Sequence, residues 1–210
     1  MKLFSAMYNG YYPFDEMGLF NAFETTTDPD DLEEDSALVV WGGSDISPSL
    51  YDRPNSGHTH ADDRPSRRDA IEWALMQRAK EMRLPIIGIC RGAQMLCALA
   101  GGFLVQDVTG HGNTHEVETD EGLVIPVSSL HHQMMYPFEV EHKMIAWSKR
   151  KRSIHYADVG RYIPPNDVPV EPELVYFPQE KGIAIQWHPE FMKLDCRANK
   201  YVHELLENYL

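Results

Sequence analysis

Two short runs, Ala37–Trp41 (ALVVW) and Pro85–Cys90 (PIIGIC), hold no charged residue and show no alternation of apolar with polar positions. A strand with one wet face alternates with a period of two. A continuously apolar run is instead covered on both faces, which is the condition of a parallel sheet lying between layers of helices. The first run meets Gly42-Gly43, and the second passes into a small-residue stretch, about Gly92–Ala100, that reads as a helix ended by Gly101-Gly102. Lys2–Met7 reads as a first strand. Ser66–Met82 reads as a helix, with Ser66 suited to the N-cap and Ile71, Leu75, Ala79 and Met82 on one stripe. Strand-like runs recur at Leu123–Val127, Met144–Trp147, Leu174–Phe177 and Ile183–Trp187. A last amphipathic helix, Ala198–Leu210, places Val202, Leu205, Leu206 and Tyr209 along one face. The alternation predicts an α/β fold: three layers, with a mostly parallel central sheet and flanking helices. The section Leu123–Phe177 has few helical signals and is expected to add antiparallel strands. No linker-like stretch divides the chain, so residues 1–210 are read as one domain.

Charge narrows the function classes. Asp and Glu number 32 against 19 Lys and Arg, a formal net charge of -13. So acidic a surface repels phosphate backbones and anionic lipid, which argues against nucleic acid and membrane as partners. No apolar run approaches the roughly 18 residues of a spanning helix, and the N-terminus lacks the pattern of a secretory leader. The three cysteines, Cys90, Cys97 and Cys196, fit neither a disulfide framework nor a zinc spacing. Reduced thiols and a cytoplasmic location are the expectation, with no metal site.

The segment Pro85-Ile-Ile-Gly-Ile-Cys-Arg-Gly-Ala-Gln94 is the most informative. Gly88, Cys90 and Gly92 fit the G-x-nucleophile-x-G elbow, in which glycines let the chain turn sharply from strand to helix and leave the nucleophile strained and presented. The strand before it and the helix after it are the context that the motif needs. A sulfur at a helix N-terminus also meets the positive end of the helix dipole, which suits a nucleophile. The backbone N–H of Arg91, next in the chain, would face a developing oxyanion. A buried structural cysteine between incidental glycines is the plainer alternative, and it is the better reading of Cys97 and Cys196.

A reactive thiol needs a proton acceptor, and the acceptor needs a group to hold it. Among ten histidines, His188 follows the run Ile183–Trp187 and so stands at the carboxyl end of an expected strand, the edge where open α/β sheets build their sites. In extended backbone, residues i and i+2 share a face, so Glu190 can approach His188 and hold its tautomer. Pro189 between them restricts the backbone. Alone, the string His-Pro-Glu is compatible with a surface turn. With the elbow it completes a Cys90–His188–Glu190 triad.

These residues resemble a known family. Gly88-Ile-Cys-Arg-Gly-Ala-Gln94 and Gln186-Trp-His-Pro-Glu190 look like the class I glutamine amidotransferase superfamily. Val40-Trp-Gly-Gly-Ser-Asp-Ile-Ser-Pro-Ser-Leu-Tyr51 resembles the glycine loop of γ-glutamyl hydrolases. Gly101-Gly-Phe-Leu-Val-Gln-Asp107 resembles the segment after the elbow helix, and Ser128-Ser-Leu-His-His-Gln133 an Asn-Ser-x-His-His-Gln string, with Ser128 in place of Asn. Arg91, the Asp45-x-x-Pro48-x-x-Tyr51 pattern and His131-His132-Gln133 are closest to the γ-glutamyl hydrolase branch, peptidase family C26. The resemblance implies a flavodoxin-like amidotransferase fold. It also implies attack by Cys90 on a γ-glutamyl amide, proton transfer by His188 held by Glu190, and a γ-glutamyl thioester opened by water. It places backbone N–H groups of Gly43 and Arg91 in the oxyanion hole, and Gln94, Ser129, Leu130 and His131 against the glutamyl head. It implies no metal and no organic cofactor. The leading expectation is a free-standing hydrolase of γ-glutamyl-amines or γ-glutamyl peptides. The rivals are a glutaminase subunit that passes ammonia to a separate synthetase, and a catalytically silent binding protein of the same fold. A synthetase would need an apolar patch around the Cys90 mouth, whereas a free hydrolase would show a polar rim.

Lesser signals have plain readings. His58, His60, Asp62 and Asp63 lie in the polar loop Ser44–Pro65 and read as solvated, and His111 and His115 are read the same way. Lys149–Arg152 reads as a solvated basic face. For His131, structural hydrogen bonding and substrate contact are equally compatible.

Overall fold

The two continuously apolar runs lie side by side at the centre of a nine-stranded sheet. The structure, a computed structural model, describes residues 1–210. Its strands in chain order are β1 (Lys2–Ala6), β2 (Ala22–Thr26), β3 (Ser36–Val40), β4 (Ile86–Ile89), β5 (Phe103–Val105), β6 (Asp107–Val108) and β7 (His115–Thr119). There follow β8 (Val124–Val127), β9 (Met134–Tyr136), β10 (Lys143–Ser148), β11 (Tyr156–Asp158), β12 (Arg161–Tyr162), β13 (Pro172–Phe177) and β14 (Gly182–Ile185). The helices are α1 (Arg67–Glu81), α2 (Arg91–Leu99) and α3 (Arg197–Tyr209).

The main sheet runs β2-β1-β3-β4-β14-β13-β10-β7-β8. From β2 to β14 every pairing is parallel, and from β14 to β8 every pairing is antiparallel. Of the antiparallel half, β8, β10 and β13 come from the section Leu123–Phe177 expected to add antiparallel strands, and β7 precedes it. Alternate residues of the central strands feed opposite faces. Leu38, Val40 and Ile86 join α1 and α2 in one apolar cluster, while Ala37, Val39, Ile87 and Ile89 join α3 in the other. Fully burying each such isoleucine or leucine contributes about 1.5–3 kcal/mol. Both faces are therefore dry, as the unbroken apolar runs require. No helix is long and apolar enough to cross a membrane.

Two local readings change in the structure. Ser66 does cap α1, in a reciprocal box with Asp69, but the buried face of α1 is Asp69, Glu72, Leu75, Met76 and Ala79, with Ile71 and Met82 at its margin. The helix is turned because two of its acids have a buried cation to meet. Of the strands that sequence reading missed, β2 is a half-exposed edge, and β7 is five residues whose polar His115, Glu116, Glu118 and Thr119 hide its buried alternation. The others, β5, β6, β9, β11 and β12, have two or three residues each, too few to show a period.

Candidate active site

Three adjacent parallel strands, β3, β4 and β14, end at the same edge of the sheet, with Val40 paired to Gly88 and Ile185 to Ile89. Their carboxyl ends deliver Gly42-Gly43, Cys90 and His188 to one place. Cys90 has φ 50° and ψ −103°, a left-handed conformation that a non-glycine residue adopts only under constraint. The constraint is steric. A Cβ on Gly88 would lie 2.5 Å from the carbonyl oxygen of Gly92, and a Cβ on Gly92 would strike the carbonyl of Val40. Only glycine at both positions lets the helix start this close to the sheet.

The imidazole of His188 stands against Cys90. Its Nδ1–H donates to Glu190 Oε1 at 2.7 Å, and Cys90 borders the same cavity beside it. Burial lowers the His188 pKa, but Cys90 and Glu190 beside it outweigh that and raise the pKa to about 10. Ser128 fixes the backbone: its hydroxyl donates to His188 O at 2.7 Å and accepts from His188 N at 3.2 Å. The amide of Asn199 donates to Pro189 O and Lys193 O, pinning the turn that carries Glu190. A thiol, an imidazole and an orienting carboxylate in this order can carry out nucleophilic acyl transfer.

Gly43 has φ +148°, and its N–H donates to no protein acceptor; Arg91 is the first residue of α2, where an N–H has no partner inside the helix. Both are free to meet an oxyanion. The Arg91 side chain has a separate task. Its guanidinium is buried against the carboxylates of Asp69 and Glu72. Glu72 also accepts from Arg68 Nε at 2.8 Å, and Arg68 Nη2 donates to Trp41 O and Gly42 O at 3.1 and 2.9 Å. Two guanidiniums and two carboxylates thus tie the elbow to the glycine loop. A Cβ on Gly43 would collide with the Arg68 guanidinium.

The sequence model of the peptidase C26 family matches residues 30–154, which include the glycine loop, Arg68, Asp69, Glu72 and the elbow. The chain belongs to the peptidase C26 family. A Mycobacterium tuberculosis protein named as a glutamine amidotransferase is 30% identical to this C26 chain over 183 residues, which cover 85% of the chain and 58% of the relative. The chain therefore spans well under two thirds of that relative's length. A Lactococcus lactis protein named as glutamine amidotransferase-like is 29% identical over 182 residues, covering 81% of the chain and 72% of the relative. A solved Thermoplasma acidophilum protein, described as one subunit of a GMP synthase, shares the fold, with a TM-score of 0.61 over 100% of this chain and 92% of that one at 16% identity. The fold is that of the class I glutamine amidotransferases.

In this C26 chain Cys90 lies between two cavities. The larger, about 930 Å³, is walled by Tyr8, Tyr11, Tyr12, Trp41 and Phe191, with Asp15 beside them. The smaller, about 240 Å³, is polar, with Ser44, Asp45, Gln94, His132 and Gln133 around it. Gly43, Cys90 and Leu130 border both. Of the residues expected at a glutamyl head, Gln94, Leu130 and His131 line the polar cavity and Ser129 does not, because its hydroxyl turns inward to His111 O at 2.6 Å. The His131 side chain is only 2% exposed and points away, so it is backbone that His131 presents. Sequence reading passed over the tyrosine wall, although Tyr8, Tyr11 and Tyr12 clustered beside Gly10 and Pro13 were a visible signal of aromatics held in a loop. It also passed over Arg68 and the Ser128 clamp.

His111 and His115 are not in a solvated loop. Both are buried, and His115 opens β7. His111 Nε2–H donates to Glu171 Oε2 at 3.2 Å and His115 Nε2–H to Glu173 Oε1 at 2.8 Å, and these acids come from β13 and the residue before it. Burial pushes His111 down and the two carboxylates push it further up, to about 9. Burial works against the charged form of Glu173, yet the three histidines around it, His111, His115 and His131, hold its carboxyl well below the usual range. Of the other plain readings, His58, Asp62 and Asp63 are exposed and so is His60, which nonetheless borders the polar cavity beside Asp45 and His132. Lys149–Lys151 is exposed with Lys149 on Glu116 at 2.9 Å, whereas Arg152 is half-buried with Nε donating to Gly110 O at 2.6 Å. Burial raises the Cys97 thiol to about 12.

Proposed function

We propose that the chain is a cysteine amidohydrolase of γ-glutamyl amides, acting through Cys90, His188 and Glu190. The observation that supports this best is the position of Cys90 at the junction of a small polar cavity and a large aromatic one. The polar cavity, with Gln94 and the Leu130–His131 backbone, takes the α-amino and α-carboxylate groups of the glutamyl head. Cys90 Sγ then attacks the δ-carbonyl carbon, and the oxyanion meets the N–H groups of Gly43 and Arg91. The C–N bond breaks as His188 gives its proton to the leaving nitrogen, and a γ-glutamyl thioester remains. Water, deprotonated by His188, opens the thioester to release glutamate and restore the thiol. No bound metal or organic cofactor is required.

The leaving amine occupies the aromatic cavity. No lysine or arginine lines it, whereas Asp15, Glu190 and the aromatic faces do. That lining suits a cationic or apolar amine, through charge and cation–π contact, better than a chain of further carboxylates. A second reading has its own support. Tyr8, Leu130 and Phe191 on this cavity are 49%, 65% and 68% exposed, an apolar rim of the kind on which a synthetase could dock to receive ammonia. The fold likeness to a protein described as part of a GMP synthase agrees with it.

Glutamate release by the chain and its Cys90→Ala variant, on glutamine, γ-glutamyl-putrescine, γ-glutamyl-aminobutyrate and a poly-γ-glutamate, tests these readings. Cys90-dependent cleavage of a substituted amide in preference to glutamine is the expected result. Turnover of glutamine alone, or of nothing, favours the reading in which a synthetase docks, and an unchanged rate in Cys90→Ala sinks the mechanism.

A further inference from the structure

Behind the polar cavity lies a set of side chains that cysteine chemistry does not use. We propose that His111, His131 and Glu173 form a binding site for a divalent transition-metal ion of the zinc class, independent of the amidohydrolase reading. One donor atom from each lies within 4.8 Å of the others. His111 Nδ1 is 3.2 Å and His131 Nε2 is 3.8 Å from Glu173 Oε1. Zinc bonds of about 2.0–2.2 Å in a tetrahedron space the ligand atoms roughly 3.3–3.6 Å apart, so the side chains need little adjustment.

The tautomers point the same way. His111 Nε2 faces the carboxylate of Glu171 at 3.2 Å, and His131 Nδ1 faces the backbone carbonyl of Gln133 at 2.8 Å. Against those acceptors each nitrogen can only donate, which leaves a lone pair on His111 Nδ1 and on His131 Nε2 in the neutral rings. A carboxylate or carbonyl on the far nitrogen is the usual support of a metal-bound histidine, and one of each is present. His115 supports Glu173 in the same manner, donating to Oε1. Meanwhile His111 Nδ1, His131 Nε2 and Glu173 Oε2 are buried without a hydrogen-bond partner, on side chains 0%, 2% and 0% exposed. Two ring nitrogens converging on one buried carboxylate make a nest for a cation, which a proton on His111 fills when no metal is bound. Imidazole with carboxylate selects zinc, cobalt or nickel over magnesium or calcium.

The ion would join the loop before β7, the loop between β8 and β9, and β13. Ser129 Oγ and His131 N already bond His111 O, so it would stiffen the segment whose Leu130 borders Cys90. The test is titration of the chelator-treated chain carrying Cys90→Ala, which removes the thiol–imidazole pair as a rival zinc site. The probes are Zn²⁺ followed by calorimetry and Co²⁺ followed by its visible spectrum. One ion per chain, no thiolate band and a zinc-dependent rise in Tm are expected. Adding His131→Gln or Glu173→Gln should abolish binding. Adding His60→Gln should leave it intact, since Asp45, His60 and His132 are the other histidine–carboxylate group. If Glu173→Gln does not fold, His131→Gln carries the comparison. No binding, binding that persists in His131→Gln, or binding lost in His60→Gln overturns the proposal.

Discussion

Phe191 lies stacked on His188, with ring centroids 4.7 Å apart and planes at 16°. The ring is 68% exposed, so what holds it there is the imidazole beneath rather than the core. It shields one face of the imidazole from water while its edge borders the aromatic cavity.

Removing it isolates that contribution. A stacked aromatic contact is worth about 0.5–1.5 kcal/mol, so Phe191→Ala should lower kcat/KM on a γ-glutamyl amide roughly 2- to 10-fold with little change in Tm. An unchanged kcat/KM would mean that the stack plays no part in the reaction.

The pH dependence follows from His188. Its pKa in the folded chain, about 10, lies above the unfolded value of about 6.5, because Cys90 and Glu190 beside it outweigh burial. The stabilisation from the charged imidazole is therefore complete below pH ~6.5 and is lost as the pH rises towards about 10. The alkaline limb of kcat/KM should lie towards that upper value, and Glu190→Gln, which removes one raising partner, should move it to lower pH. A wild-type limb near pH ~7 that the variant leaves in place would contradict this origin of the shift.

Arg91 offers a stability test. It is buried against two buried carboxylates, and removing one partner of a buried ion pair costs about 3–5 kcal/mol; Glu72 keeps Arg68, but Asp69 is left without a cation. Arg91→Met should show that loss in urea unfolding, and adding Asp69→Asn with Glu72→Gln should restore much of it. A loss under about 1 kcal/mol in the single variant would show that the carboxylates find other partners.

The elbow, the glycine loop and the His-Pro-Glu string were legible in the sequence because their requirements are local. Gly88 and Gly92 are needed within two residues of Cys90. Glu190 reaches His188 from two positions on, through a 3-10 turn held by Ser128 and Asn199 rather than the extended backbone expected. Continuous apolar runs likewise named the central strands, since burial on both faces leaves no room for alternation. Short strands such as β11 and β12 carried no such mark, because two or three residues have no period.

Partners chosen across the fold could not be read the same way. Arg91 meets Glu72 and Asp69 from 19 and 22 positions away, and His111 meets Glu171 from 60 away. In the sequence, nothing singles out Asp69 and Glu72 on the Ser66–Met82 helix, and His111 and His115 read as a solvated loop. Strand order decided otherwise, by setting β13 against β10, and β10 against β7, and by laying α1 along the elbow. The sequence by itself determined which backbone turn would present a cysteine, because the Gly88-x-Cys90-x-Gly92 pattern lies within five residues, although it is the Val40 carbonyl on the neighbouring strand that holds Gly92 to glycine. Only the tertiary structure decided which charges are buried together and what surrounds the sulfur, because a buried charge takes the partner that packing brings to it.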